Sequence, residues 1–201
     1  MMNLKKNQPK TNPKMKSVLK TFGVALAISL MAASTVGMMP DAQAASGQEI
    51  NVRADQALEV FQKKIKGADK VMANAEGVLI LPHVYKAGIG VGGEFGEGVL
   101  EVGGKPVDYY NMISASYGLQ LGAQRKSILM FFMSDEALEK FQASSGWKAG
   151  VDASVAVINV GAEGTIDTTT LNKPIVAFVL DQKGLMYDLS LEGAKFTKIK
   201  K

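Results

Sequence analysis

Two hydrophobic periods divide this chain. From Ala54 to Ala75 the apolar residues Ala54, Ala57, Leu58, Phe61, Ile65, Ala68, Met72 and Ala75 fall, at helical spacing, within an arc of about 100°. The spacing predicts an amphipathic helix with Gln56, Glu59, Lys63, Lys66 and Lys70 on its other face. Gly67 interrupts the pattern, so one long helix and two shorter ones are both allowed. The period then changes. GVLIL (Gly77 to Leu81), SILMFFM (Ser127 to Met133) and PIVAFVL (Pro174 to Leu180) are apolar runs of strand length, as in strands covered on both faces. Val151, Ala153, Val155 and Val157 alternate with Asp152 and Ser154, and Leu185 to Leu191 alternates similarly, which predicts strands wet on one side. One further helix is expected over Asp135 to Ala143, capped by Ser134 or Asp135, with Leu138 and Phe141 inward and Ser144-Ser145-Gly146 ending it.

Between Glu76 and Gly104 nine glycines punctuate short runs of Val, Ile, Leu and Phe. Glycine serves where backbone turns with positive φ or meets another surface closely, so the stretch reads as tightly turned sheet. Gly88, Gly90 and Gly93 spell a dinucleotide-binding pattern, but that pattern works by opening a helix onto a pyrophosphate. Glu94-Phe95-Gly96-Glu97-Gly98 is too glycine-rich to do so, and the match is rejected. Gly103-Gly104 and Lys183-Gly184 suit short hairpin connections between antiparallel neighbours. Two helical regions cannot cover a doubly wound parallel sheet. The fold class expected is therefore α+β: a curved, mostly antiparallel, barrel-like sheet with an N-terminal amphipathic helix and one further helix.

Residues 1–44 change the electrostatic picture. Lys5, Lys6, Lys10, Lys14, Lys16 and Lys20 precede an apolar run from Phe22 to Met31 and then Ala42-Gln43-Ala44, the pattern of a cleaved signal peptide. Export to the periplasm or beyond, with cleavage after Ala44, is expected. The whole chain carries 23 basic and 19 acidic residues. Without the signal the formal charge falls from +4 to about −1, so the basic balance gives no support for nucleic-acid binding. Residues 45–201 fit a single domain. The chain has no cysteine, so neither disulfides nor a lipidated cysteine can hold it.

Candidate chemistry is sparse. His83 is the sole histidine, and no hydrolase, zinc or phosphate-loop motif occurs. No enzymatic activity, cofactor or metal is expected; Glu94/Glu97 and Asp135/Glu136 are explained by solvated faces and a helix N-terminus. Tyr85, Tyr109, Tyr110, Tyr117 and Trp147 stand near glycine-rich segments, where they can line a groove for an amphiphile or simply fill a core. Lys63, Lys64, Lys66 and Lys70 form the one local basic cluster after the signal. Such a cluster reads either as a solvated face, with Glu59 pairing Lys63, or as a contact for an anionic membrane.

AEGVLILPHVYKAGIGVGGEFGEGVL (Ala75 to Leu100) resembles the SYLF domain, a lipid-binding domain also described in yeast as an actin-binding module. The likeness continues through SASYGLQLGAQ (Ser114 to Gln124), SILMFFMSDEALEKF (Ser127 to Phe141), GVDASVAV (Gly150 to Val157) and KGLMYDLSLEGAKF (Lys183 to Phe196). The resemblance implies binding of phosphoinositide or other anionic lipid, without catalysis, through the N-terminal amphipathic region and nearby lysines. It adds Lys86, often basic in the family, as a head-group contact. Many eukaryotic members carry a tryptophan-serine pair where this chain has Asp108-Tyr109-Tyr110, and actin binding is not expected of an exported chain. The expectation is a non-enzymatic, lipid-binding protein of the bacterial envelope; the alternative is an envelope protein-interaction or structural module using the glycine-rich sheet.

Overall fold

The apolar stripe of the N-terminal region becomes a helix because its start is capped and its inner face is covered. In the computed structural model, which describes residues 45–159, 172–184 and 190–201 (side chains 116–121 and 159 excepted), Ser46 accepts the Glu49 amide at 3.2 Å and opens α1 (Gly47–Lys64). The helix starts a full turn and more before Ala54, because Ile50 already belongs to the buried stripe with Ala54, Ala57 and Phe61. Ile65 ends it, Gly67 takes a left-handed φ of 94°, and α2 (Ala68–Ala73) follows. Of the two arrangements open at Gly67, the broken one is adopted.

β1 (Gly77–Val102) and β2 (Lys105–Phe132) form one long antiparallel hairpin, turning at Gly103 and Gly104 with φ of 58° and 72°. The predicted runs Gly77–Leu81 and Ser127–Met133 are only its base. α3 (Asp135–Ala143) has the expected bounds, with Ser134 accepting the Ala137 amide. β3 (Trp147–Lys148), β4 (Ala156–Asn159), β5 (Ile175–Gly184) and β6 (Lys195–Ile199) complete the sheet, in the order β3-β6-β2-β5-β4 with β1 beside β2. Among the described residues every strand pairing is antiparallel except β4 with β5. The expected Val151–Val157 strand shortens to β4, because a turn from Lys148 to Asp152 with Gly150 at φ 79° occupies its start. The alternation over Leu185 to Leu191 falls largely on residues outside those described, whereas Lys183 and Gly184, expected as a hairpin connection, are the last residues of β5, held in the ladder by pairing with Arg125 and Gln124.

The sheet curls because β1 folds back on itself at Gly90 (φ 72°). A Cβ on Gly88 would stand 2.4 Å from Gly92 Cα, one on Gly96 2.8 Å from Val84 Cγ2, and one on Gly98 2.2 Å from the Ile80 carbonyl oxygen. The two halves of β1 thus lie against each other, with glycine wherever the backbones touch. A curled, half-barrel-like α+β architecture results, as the sequence reading expects. Its inner face holds Leu79, Leu100, Met112, Met130, Phe132 and Phe196, closed by Phe141 of α3 and Trp147. Its outer face carries Ile80, Leu129, Phe131, Val176 and Phe178 beneath α1 and α2. Tyr110 and Trp147 fill the core, and Tyr109 hydroxyl donates to Asn51 Oδ1 at 3.1 Å.

Candidate functional site

The packing of α1 decides which of its residues can meet a ligand. Phe61 fixes the helix, its ring centroid 5.0 Å from Phe131 and 4.8 Å from Phe178. With that face spent on the core, only the polar face looks outward. Lys63 and Lys64 in the last turn, Lys66 in the connection and Lys70 in α2 are all exposed and stand around one helix end. Lys63 Nζ reaches Glu59 Oε1 at 2.5 Å, and Lys64 Nζ reaches Asp181 Oδ1 of β5 at 2.5 Å. Surface pairs of this kind are individually weak and exchange readily for another anion.

Strand pairing brings further basic residues to the same end. Asp181, which holds Lys64, lies two residues before Lys183; Lys183 pairs with Arg125, and Arg125 with Tyr85, in one row across β5, β2 and β1. Arg125 has the strand parity of Leu129 and Phe131, so it faces the side that α1 covers. His83 lies near enough to Arg125 and Arg53 for their charges, after burial itself, to hold its pKa below the ordinary value. An imidazole kept neutral here is a half-buried group beside a cationic surface, and its Nδ1 has no hydrogen-bond partner among the described residues. Sequence reasoning missed Arg125 and Lys183, which are distant along the chain from the lysine cluster and join it only through the β2–β5 register.

Lys86 does not join them. Its side chain is 1% exposed, with Nζ 3.3 Å from Glu94 Oε1 across the fold at Gly90. Lys126 Nζ donates to the same Oε1 at 3.2 Å and stands 3.2 Å from Oε2. An ammonium clamped between the two halves of β1 is shielded from a bilayer, so the head-group contact expected of Lys86 does not fit its position. Its charge serves instead to match a carboxylate that the curl encloses. Gln124, next to this trio on the same strand face as Lys126, is buried with both amide atoms unpartnered among the described residues.

Glu97 and Glu136 each have a lysine partner. Glu97 takes Lys201 Nζ at 2.9 Å on both oxygens, and Glu136 takes Lys140 at 2.6 Å. Among the described residues no group of three or more metal-ligating side chains comes together. A cleft of about 300 Å³ between Ala149–Gly150, Ser154–Val157 and Ser190–Glu192 presents Glu192 as its one ionisable side chain among the described residues. Among them, no helix is long and apolar enough to cross a membrane.

Comparison with known proteins finds one family. Residues 113–201, from the middle of β2 to the last residue, match the model of the Ysc84 family, described as Las17-binding protein actin regulator. The matched part contains Arg125, Lys126 and Lys183 as well as four of the five sequence blocks that carry the SYLF resemblance. A search of curated proteins finds no match.

Proposed function

We propose, on the premise that residues 113–201 belong to the Ysc84 (SYLF) family, that this protein is a non-enzymatic, exported binder of anionic lipid surfaces in the bacterial envelope. The observation that carries this reading is the run of exposed Lys63, Lys64, Lys66 and Lys70 over the end of α1 and the start of α2, with Lys64 bonded to Asp181 two residues before Lys183, which pairs with Arg125. Basic residues gathered on one surface add their attraction to a charged plane, at about 1 kcal/mol each when close to it. Because the apolar face of α1 is packed into the core, attraction by this helix runs through its lysines and is screened by salt.

The test is co-sedimentation of the protein with phosphatidylglycerol-rich vesicles over a range of salt. Binding at low ionic strength should weaken on the order of tenfold or more when Lys63, Lys64, Lys66 and Lys70 become Glu. Absence of binding at low salt, or indifference to that reversal, sinks the mechanism.

A second reading, capture of a protein partner, draws on the family description, which names binding to the protein Las17. Retention of one envelope protein in a pull-down, insensitive to salt and with vesicles ignored, would favour it over lipid.

A further inference from the structure

The segment around Gly90 inverts the usual rule of burial. Along Val84 to Gly96 the alternate residues Lys86, Gly88, Gly92, Glu94 and Gly96 face the fold, while Tyr85, Ile89, Val91 and Phe95 face out. Charges are inside and large apolar side chains outside. Ile89 is 81% exposed and Val91 59%, and Tyr85, Phe95 and Ile113 are each about half exposed. Ile113 pairs with Phe95, and residues flanking Gly90 at equal distance stand level, as Lys86 and Glu94 do in bonding each other. Tyr85, Phe95 and Ile113 therefore make a lower apolar rung, with Ile89 and Val91 above it at the extremity. Among the described residues a Cβ on Gly90 would meet nothing within 4 Å, so the space beside this turn is open.

We propose that the folded end of the β1–β2 hairpin is an inserting edge: Ile89 and Val91 enter the acyl boundary of an anionic bilayer, with Tyr85, Phe95 and Ile113 at head-group depth. This rests on the lipid-surface reading and adds to it a depth and a second, salt-insensitive component. Charge selects the occupant. The row behind the edge carries Arg125 and Lys183, and the one acid of the segment, Glu94, is turned inward against two lysines, so nothing on the exposed side of this segment repels phosphate. A projecting apolar tip backed by cations matches the layered polarity of a membrane surface.

The experiment places a reporter at the tip. In Ile89→Trp, vesicles of phosphatidylglycerol and phosphatidylcholine in equal parts should shift emission to the blue, and bromine-labelled acyl chains should quench it. The native Trp147, 2% exposed in the core, supplies a constant background that the parent protein measures. Ile89→Ser with Val91→Ser should weaken vesicle binding roughly tenfold at high salt, where the lysine contribution is screened, without lowering the thermal midpoint. If Ile89→Trp sediments with vesicles while its emission stays that of water, the inserting edge is wrong and the lysine surface stands. If the parent protein ignores the vesicles, both readings fall. If the double serine variant binds vesicles as the parent does but turns a dimer into a monomer in analytical ultracentrifugation, the edge is covered by a second copy and the proposal is overturned.

Discussion

Gly98→Ala should be a severely damaging single-methyl addition to this protein. A Cβ at that position would lie 2.2 Å from the Ile80 carbonyl oxygen, 2.9 Å from its carbon and 3.0 Å from Leu81 Cα. All three neighbours are backbone, in a strand whose Ile80 and Leu81 side chains are fully buried on opposite faces. No rotamer change relieves the clash, so the two halves of β1 must separate by about 1 Å, loosening contacts on both faces of the sheet. Overpacking of this sort costs about 1–3 kcal/mol where side chains can yield. With backbone on both sides we expect about 3 kcal/mol or more, a fall in midpoint of roughly 6–12 °C for a domain of this size.

Two other glycines give the scale. At Gly93 the nearest atom to a Cβ would be the Ser114 carbonyl oxygen at 3.8 Å, an ordinary contact, so Gly93→Ala should leave stability within about 0.5 kcal/mol or raise it slightly. At Gly90 space is open but φ is 72°, and Gly90→Ala should cost about 1–2 kcal/mol from conformation alone. Urea unfolding followed by Trp147 emission ranks the three. The folded-back arrangement of β1 is refuted if Gly98→Ala matches the parent protein, or if Gly93→Ala costs as much as Gly98→Ala.

Removing the enclosed carboxylate with Glu94→Gln should cost about 3–5 kcal/mol, since Lys86 and Lys126 then keep their buried charge without it; an unchanged urea midpoint would show that the trio matters little. Glu101 is buried, and desolvation first, then the charge of Asp55, raises its pKa. A carboxyl raised on folding stabilises while protonated, and that contribution is lost as pH climbs from the ordinary carboxylate value through the raised one. Glu101→Gln should therefore be more stable than the parent at pH 7, with the gap closing below about pH 4.5. His83 works in the opposite sense: its depressed pKa means stability present above about pH 6.5 and lost as pH falls through the folded value. His83→Gln should flatten that part of the stability profile, and a slope that survives the substitution would assign it to other groups.

How far sequence leads and where it stops can be followed through β1. Both helical regions are legible because a stripe at helical spacing, a serine cap and a breaking glycine are local signals, and α1, α2 and α3 obey them. The glycine block is legible as turned sheet for the same reason. Its inside and outside are not. Read alone, Tyr85, Ile89, Val91 and Phe95 alternating with Lys86 and Glu94 present an apolar face to bury and a charged face to wet, and a slip of one residue exchanges the two. What decides is contact distant from any local pattern: Gly88, Gly96 and Gly98 face the seam, because a Cβ on each would stand under 3 Å from the other half of β1. The even-numbered positions between them go inward with the glycines, and Lys86 and Glu94 are carried along. Their burial is tolerable because they meet each other and Lys126 there. The same constraint forces Ile89 and Val91 out, so the glycines that close the curl also hold an apolar edge open to whatever the protein binds.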